Sequence, residues 1–310
     1  MPPLPGKSND PGLSEKYFSR TKRIINNDGS FNITRVGTGF SLWDIYQFLV
    51  NLSWPRFISS VLGFYLLVNC FYALLYFITG IDSVHGARGE TIIRTLENLF
   101  FFSVQTISTV GYGNMAPMGI YANIIVTFET LTGLLGFALV TGLLYGRFSR
   151  PTARILYSSK ALISPYQDKT SLQFRIANQR SNALLEVEAK VMVAFVENTN
   201  GSSKREYYNL ALERSYIYFF PLSWTIVHPI DEESPFWNKT PEDLKNLETE
   251  ILILIKGYDD IFSQTVHSRF SYRFDEIIWG ARFKPAFFID QNGDVIIDLK
   301  NIHNFETDRD

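Results

Sequence analysis

The stretch whose residue types and spacing point most directly to chemistry is Thr109-Val110-Gly111-Tyr112-Gly113. Main-chain carbonyl oxygens can replace the hydration shell of a cation if successive carbonyls turn toward one axis. Glycine at alternate positions admits the backbone angles that such turning needs. Four copies around an axis would aim the carbonyls of Thr109, Val110, Gly111 and Tyr112, and the Thr109 hydroxyl, at a dehydrated ion. Val110 and Tyr112 would then pack outward and hold the ring. No competing chemistry is visible. His85, His228, His267 and His303 are scattered without metal-ligand spacing, and His228 and His267 read as satisfied structural residues. Residues 152–310 hold no Gly-X-Ser-X-Gly, no His-Glu-X-X-His and no phosphate loop, so no enzyme is predicted.

Carbonyls facing an ion must be positioned, and two long apolar segments flank the motif. Phe57 to Ile78 carries no charge, and Ile120 to Tyr145 carries one acid, Glu129. Roughly 20 helical residues cross a hydrocarbon core about 30 Å thick, so both are predicted to span a membrane. Thr95 to Ile107 is apolar but too short to span, and reads as a re-entrant helix leading into the motif. Lys16, Arg20, Lys22, Arg23, Arg35 and Arg56 precede the first span, and Arg147, Arg150, Arg154 and Lys160 follow the second. This distribution puts both termini in the cytoplasm and the motif on the external side.

The remaining segments set the domain layout. Residues 1–40 are expected to form a cytoplasmic N-terminal segment, of which Met1 to Asp10 lacks the apolar core of a signal peptide. Residues 41–54 alternate apolar and polar positions at helical spacing, as an interfacial helix does, until Pro55 turns the chain into the bilayer. Residues 55–150 are the pore domain. Residues 151–310 read as a β-sandwich: many short strands, with Asn292-Gly293 between Ala286–Asp290 and Val295–Leu299 as a hairpin signal. A net charge of −2 gives no pull toward nucleic acid, and the single cysteine, Cys70, excludes a disulfide within one chain.

At this point the chain resembles the inward-rectifier potassium channel family in its prokaryotic, KirBac-type form. The pentapeptide is the known potassium filter sequence, here recognised as a pattern. Further matches are Arg147-Phe148-Ser149-Arg150-Pro151, Phe174-Arg175-Ile176-Ala177-Asn178, Val227-His228-Pro229-Ile230-Asp231 and Asp275-Glu276-Ile277-Ile278-Trp279-Gly280. The resemblance implies an α+β membrane protein: a two-transmembrane-helix pore with a re-entrant helix, and a cytoplasmic immunoglobulin-like β-sandwich. It also implies a homotetramer, this chain with three identical subunits, in a bacterial inner membrane, and the lack of an Arg-rich sensor helix reads as voltage-independent gating. No cofactor is implied beyond the permeant K+, held at Thr109, Val110, Gly111 and Tyr112, with Mg²⁺ or polyamines as blockers.

Several other residues acquire expectations. Gln105 stands where eukaryotic members of the family place a glutamate behind the filter. Glu129 costs about 2.5–3.5 kcal/mol at mid-membrane, so it is expected as a buried partner behind the filter, with a headgroup-level position as the alternative. Phe137, Thr141 and Tyr145 recur every fourth residue. By resemblance Phe137 and Tyr145 line the cavity and inner mouth, and Phe137 stands where strong rectifiers carry an acid. Gly133 is either the family's hinge or a close-packing site. Arg20, Lys22, Arg23, Arg147, Arg150, Arg154 and Lys160 are expected to contact anionic lipid headgroups. Glu186 and Asp260 are expected to line the cytoplasmic pore.

Overall fold

Apolar composition and proline placement account for the helices. In a computed structural model that describes residues 7–8, 10–14, 23–37, 42–149, 153–199 and 202–307, four of them form one unit with the filter segment. Helix α1 covers Leu42–Asn51, α2 covers Trp54–Thr79, α3 covers Ile92–Ile107 and α4 covers Gly119–Phe148. Pro55 sits in the first turn of α2, where its missing N–H costs nothing. The α2 and α4 helices are 26 and 30 residues long, each apolar and long enough to cross a membrane. Helix α3 begins three residues before the predicted segment, because the Thr91 hydroxyl caps it by accepting from the Arg94 N–H at 3.2 Å.

Beyond α3 the chain runs through Thr109–Gly113 and is pinned again. The short strand Val84–His85 after α2 pairs with Ala116–Pro117, and the Met118 N–H donates to the Ser83 carbonyl at 2.8 Å. Both ends of the filter segment are therefore tied to helical elements of the same unit.

The second unit comprises residues 1–36 and 151–310. It has a six-stranded and a five-stranded sheet. The first centres on Leu184–Thr199 beside Glu250–Asp259, and the second on Lys169–Asn178 beside Ser223–Ile230. Alternate residues of both sheets share one core, including Phe174, Ile176, Val193, Phe195, Ile226, Ile251, Ile253 and Tyr272. The predicted hairpin is present: Phe287–Ile289 pairs with Val295–Ile297 around Gly293 at φ +87°. Asn200-Gly201, a further turn signal in the sequence, falls outside the described residues. A second small cluster, Ile24, Ile25, Ala194, Tyr207 and Leu252, fixes the N-terminal segment to the sheet. The buried Glu250 carboxylate accepts from the Ile24 and Ile25 N–H groups there.

His228 is a structural residue with a pH consequence. Its Nδ1 lies 2.6 Å from the Ala211 carbonyl, which can only accept, so Nδ1 carries the proton. Nε2, at 2.8 Å from the Ser234 hydroxyl, then accepts. Burial holds the imidazole below its ordinary value, with the Ala211 hydrogen bond opposing in part. Its folded form is thus the neutral one. The unfolded chain takes up this proton first, so the contribution is complete above about pH 6.5 and is lost as pH falls from there toward the folded value. We predict a melting temperature that declines below that pH, and a shallower decline in His228→Asn, whose amide can keep the bond to Ala211. Equal acid sensitivity of the two proteins would assign the decline to other groups.

Candidate functional site

The segment that follows α3 turns its first four N–H groups back onto that helix. The Ser108 N–H donates to the Val104 carbonyl at 3.1 Å and the Thr109 N–H to Thr106 at 3.1 Å. The Gln105 carbonyl then accepts from two successive residues, Val110 at 2.9 Å and Gly111 at 3.4 Å. Gln105 therefore holds the 109–113 segment through its main chain. Every second residue lies in the left-handed region: Thr109 at φ +57°, Gly111 at +51° and Gly113 at +85°. Glycine accepts this without penalty. Thr109 does not, and a non-glycine residue held there costs on the order of 1–3 kcal/mol. The strained Thr109 was not anticipated from sequence, since only the glycines signal such angles. In the single chain Val110 and Tyr112 are exposed.

A buried polar cluster supports α3 from behind. Glu129 of α4 is fully buried. Its carboxyl meets the Tyr76 hydroxyl from α2 and, at 2.5 Å, the Ser103 hydroxyl from α3. Ser103 also lies 3.1 Å from Asn69 Oδ1 on α2. Beside this cluster the Tyr76 and Phe102 rings meet edge-on at 5.2 Å, and the Tyr72 hydroxyl reaches Thr132 at 2.8 Å. Of the two alternatives for Glu129, the buried one is observed. Its partners are Tyr76 and Ser103, and Gln105 is not among them. A tyrosine and a serine in apolar helices carry no sequence signal of such a role.

Gly133 packs directly against the end of α3. A Cβ there would collide with the Ile107 carbonyl oxygen and approach the Ile107 carbonyl carbon to 3.1 Å. Close packing is the role its surroundings support. Phe137, Thr141 and Tyr145 share an exposed face of α4.

The basic residues divide differently from expectation, and two need correction. Arg147 forks onto the C-terminal end of α1: its guanidinium donates to Leu49 and Val50 at 2.8 Å each and to Leu52, one residue past the helix, at 2.7 Å. These carbonyls have no partner further along α1, and a cation at a helix C-terminus is favoured. The same group stacks over Trp54 and Phe57, 4.7 and 4.5 Å from their ring centres. Three of its five N–H donors are thus committed to binding α1 to α4, while Nε is buried without a partner. Arg23 likewise pairs with Glu276 at 2.9 Å and donates to Ser271 within the β-rich unit. Lys160 donates to the Asp275 carbonyl at 3.2 Å, while Arg154 is exposed. Arg20, Lys22 and Arg150 lie outside the described residues.

Glu186 and Asp260 are both exposed, near one end of the strands Leu184–Thr199 and Glu250–Asp259. Glu186 sits at φ +50° where the pairing shifts register, so the bulge re-aims its side chain. The adjacent Asp259, not singled out from sequence, is buried and accepts from Asn182 at 2.8 Å and from the Ile261 and Phe262 N–H groups. It shapes the turn that carries Asp260.

Comparison with known proteins accords with this geometry. Residues 56–150 match the ion channel family model, and residues 155–308 match that of the inward rectifier potassium channel C-terminal domain. The inward rectifier potassium channel Kirbac3.1 of Paramagnetospirillum magnetotacticum is 41% identical over 92% of this chain and 96% of its own length. The chain belongs to the inward rectifier potassium channel family. The G protein-activated inward rectifier potassium channel 2 of Mus musculus is 25% identical, covering 99% of this chain and 78% of its own. Its Homo sapiens counterpart is 24% identical over the same shares. As a member of an inward rectifier family, the protein is a membrane channel with two spanning helices and a β-rich domain, and its family is not one of enzymes.

The contact at Gly133 makes a prediction. Gly133→Ala must push α4 away from Ile107, four residues before the left-handed Gly111. Gly136→Ala adds the same methyl where nothing beyond its own turn of helix lies within 4 Å. Ion flux from reconstituted protein should fall severalfold in the first and far less in the second. Equal losses would mean that helix stiffness, and not this contact, governs the site.

Proposed function

We propose that this protein is a homotetrameric potassium-selective channel whose ion pathway is the Thr109–Gly113 segment. The observation that carries the reading is the alternation of left-handed residues at 109, 111 and 113 at the end of a half-length helix. With the Val110 and Gly111 N–H groups turned back to Gln105, the carbonyls of 109–112 are left to an ion. One chain supplies a quarter of such a ring, and the exposed Val110 and Tyr112 give each copy a surface for its neighbours. Both termini lie in the cytoplasm by the positive-inside distribution, and the setting is a bacterial inner membrane. Four Tyr145 rings would close the inner mouth by dewetting, with the exposed Arg154 and the bases Arg20, Lys22 and Arg150 meeting anionic headgroups. Glu186 and Asp260 would concentrate cations at the inner entrance. No arginine-rich sensor helix is present in the sequence, so gating is by ligand or lipid.

The direct test is flux into sealed liposomes. Potassium should pass, barium should block it, and sodium should not replace it. Gly111→Ala adds a Cβ at φ +51° and should abolish potassium flux with the tetramer intact. Equal potassium and sodium flux would favour a non-selective cation channel, and unchanged selectivity in the variant would place the filter elsewhere.

Rectification separates the family members. A blocker held deep in the membrane field gains about 2.3 kcal/mol per elementary charge per 100 mV. Phe137 offers a ring and no charge at the cavity position, and Glu186 and Asp260 lie outside most of the field. Internal spermine should therefore block weakly and with shallow voltage dependence, and Phe137→Asp should steepen it. Planar-bilayer currents showing steep, tight block of the unmodified channel would contradict this assignment.

A further inference from the structure

The hydrogen-bond cluster around Glu129 does not balance if its carboxyl is ionised. Asn69, Tyr76, Ser103 and Glu129 are each fully buried. Asn69 Nδ2 donates to the Tyr65 carbonyl at 2.7 Å, which fixes the amide so that Oδ1, an acceptor only, faces Ser103 at 3.1 Å. Ser103 Oγ also lies 2.5 Å from Glu129 Oε1, and Tyr76 meets Oε2. With an ionised carboxylate there are three acceptor oxygens, Asn69 Oδ1 and both Glu129 oxygens, and two hydroxyl protons to serve them. Ser103 can give its single proton to one neighbour. The other would then face it at hydrogen-bond distance with no proton between two oxygens.

We infer that Glu129 is held in the pore wall as a neutral carboxylic acid, in a one-way relay. Tyr76 donates to Oε2, the Glu129 O–H donates to Ser103 Oγ, and Ser103 donates to Asn69 Oδ1. Asn69 passes the chain to the Tyr65 carbonyl. Each oxygen then has one partner of the right kind, and α2, α3 and α4 are joined without a buried charge. The nearby hydroxyls cannot supply the missing proton, since Thr132 donates to the Phe128 carbonyl at 2.8 Å and Tyr72 is left to donate to Thr132. Among the described residues no lysine, arginine or histidine makes an ion pair with Glu129 that would favour the charged form. An uncharged support keeps a fixed negative charge away from the filter while still positioning α3. Glu129 is thus a positioning residue, acting on the filter through Ser103.

This inference rests on the reading of the helices as a membrane pore, but its test does not depend on conduction. Infrared difference spectra of the reconstituted full-length channel, wild type minus Glu129→Gln, should show the carbonyl stretch of a protonated acid at neutral pH. Exposed acids are ionised there and do not contribute. Glu129→Gln should assemble and melt as the wild type does, because its amide donates to Ser103 and its oxygen accepts from Tyr76. Ser103→Ala removes the acceptor of the Glu129 proton, so the band should persist and shift. Should Glu129→Gln fail to fold, a pH titration of the wild type and the shift in Ser103→Ala still read the proton. Loss of carboxylate bands instead of an acid band in the difference spectrum, or an unshifted band in Ser103→Ala, would overturn the relay.

Discussion

Backbone at membrane depth must satisfy its own N–H groups, because no water is there to do so. The ion pathway proposed for Thr109–Gly113 adds a harder condition: its carbonyls must stay unpaired so that an ion can use them. Ordinary secondary structure cannot meet both demands, since helix and sheet consume N–H and C=O together. Here one carbonyl, that of Gln105, accepts from both Val110 and Gly111. The left-handed angles at Thr109, Gly111 and Gly113 then free the carbonyl row.

Much of the rest of the helical unit follows from holding that segment in place. Helix α3 must end where the filter begins, and Gly133 lets α4 come against Ile107 at that end. Glu129, Tyr76, Ser103 and Asn69 bind the three helices behind it with hydrogen bonds instead of a salt bridge. Arg147 performs a comparable task at the other end of α4, taking the orphan carbonyls of α1. In both places a polar group that looks costly in an apolar helix finds partners on other elements, although Arg147 Nε is left without one.

The architecture was legible in the sequence to the extent that it depends on composition and periodicity. The two spans, the re-entrant helix, the sandwich and the Asn292-Gly293 hairpin are all written in local patterns, and the pentapeptide gains its specificity from lying between two spans after a short apolar helix. Residues whose role depends on what lies across a helix interface were less legible. Arg147 and Arg23 look alike as juxtamembrane bases, yet each is consumed by different partners within its own unit. Asp259 and Asp260 are adjacent acids, one buried and one exposed, and only the turn geometry separates them. Thr109 carries no mark of its left-handed angle, because threonine adopts it only under tertiary constraint.

The central claim is that main-chain oxygens of one short segment, contributed by several copies, bind the permeant ion. A structure of the assembled channel in rubidium or thallium, located by anomalous scattering, tests it most directly. The account predicts ions in a row on a four-fold axis, between the carbonyl planes of residues 109–112. Ions found only at the acidic side chains Glu186 and Asp260, with none along the filter segment, would contradict it.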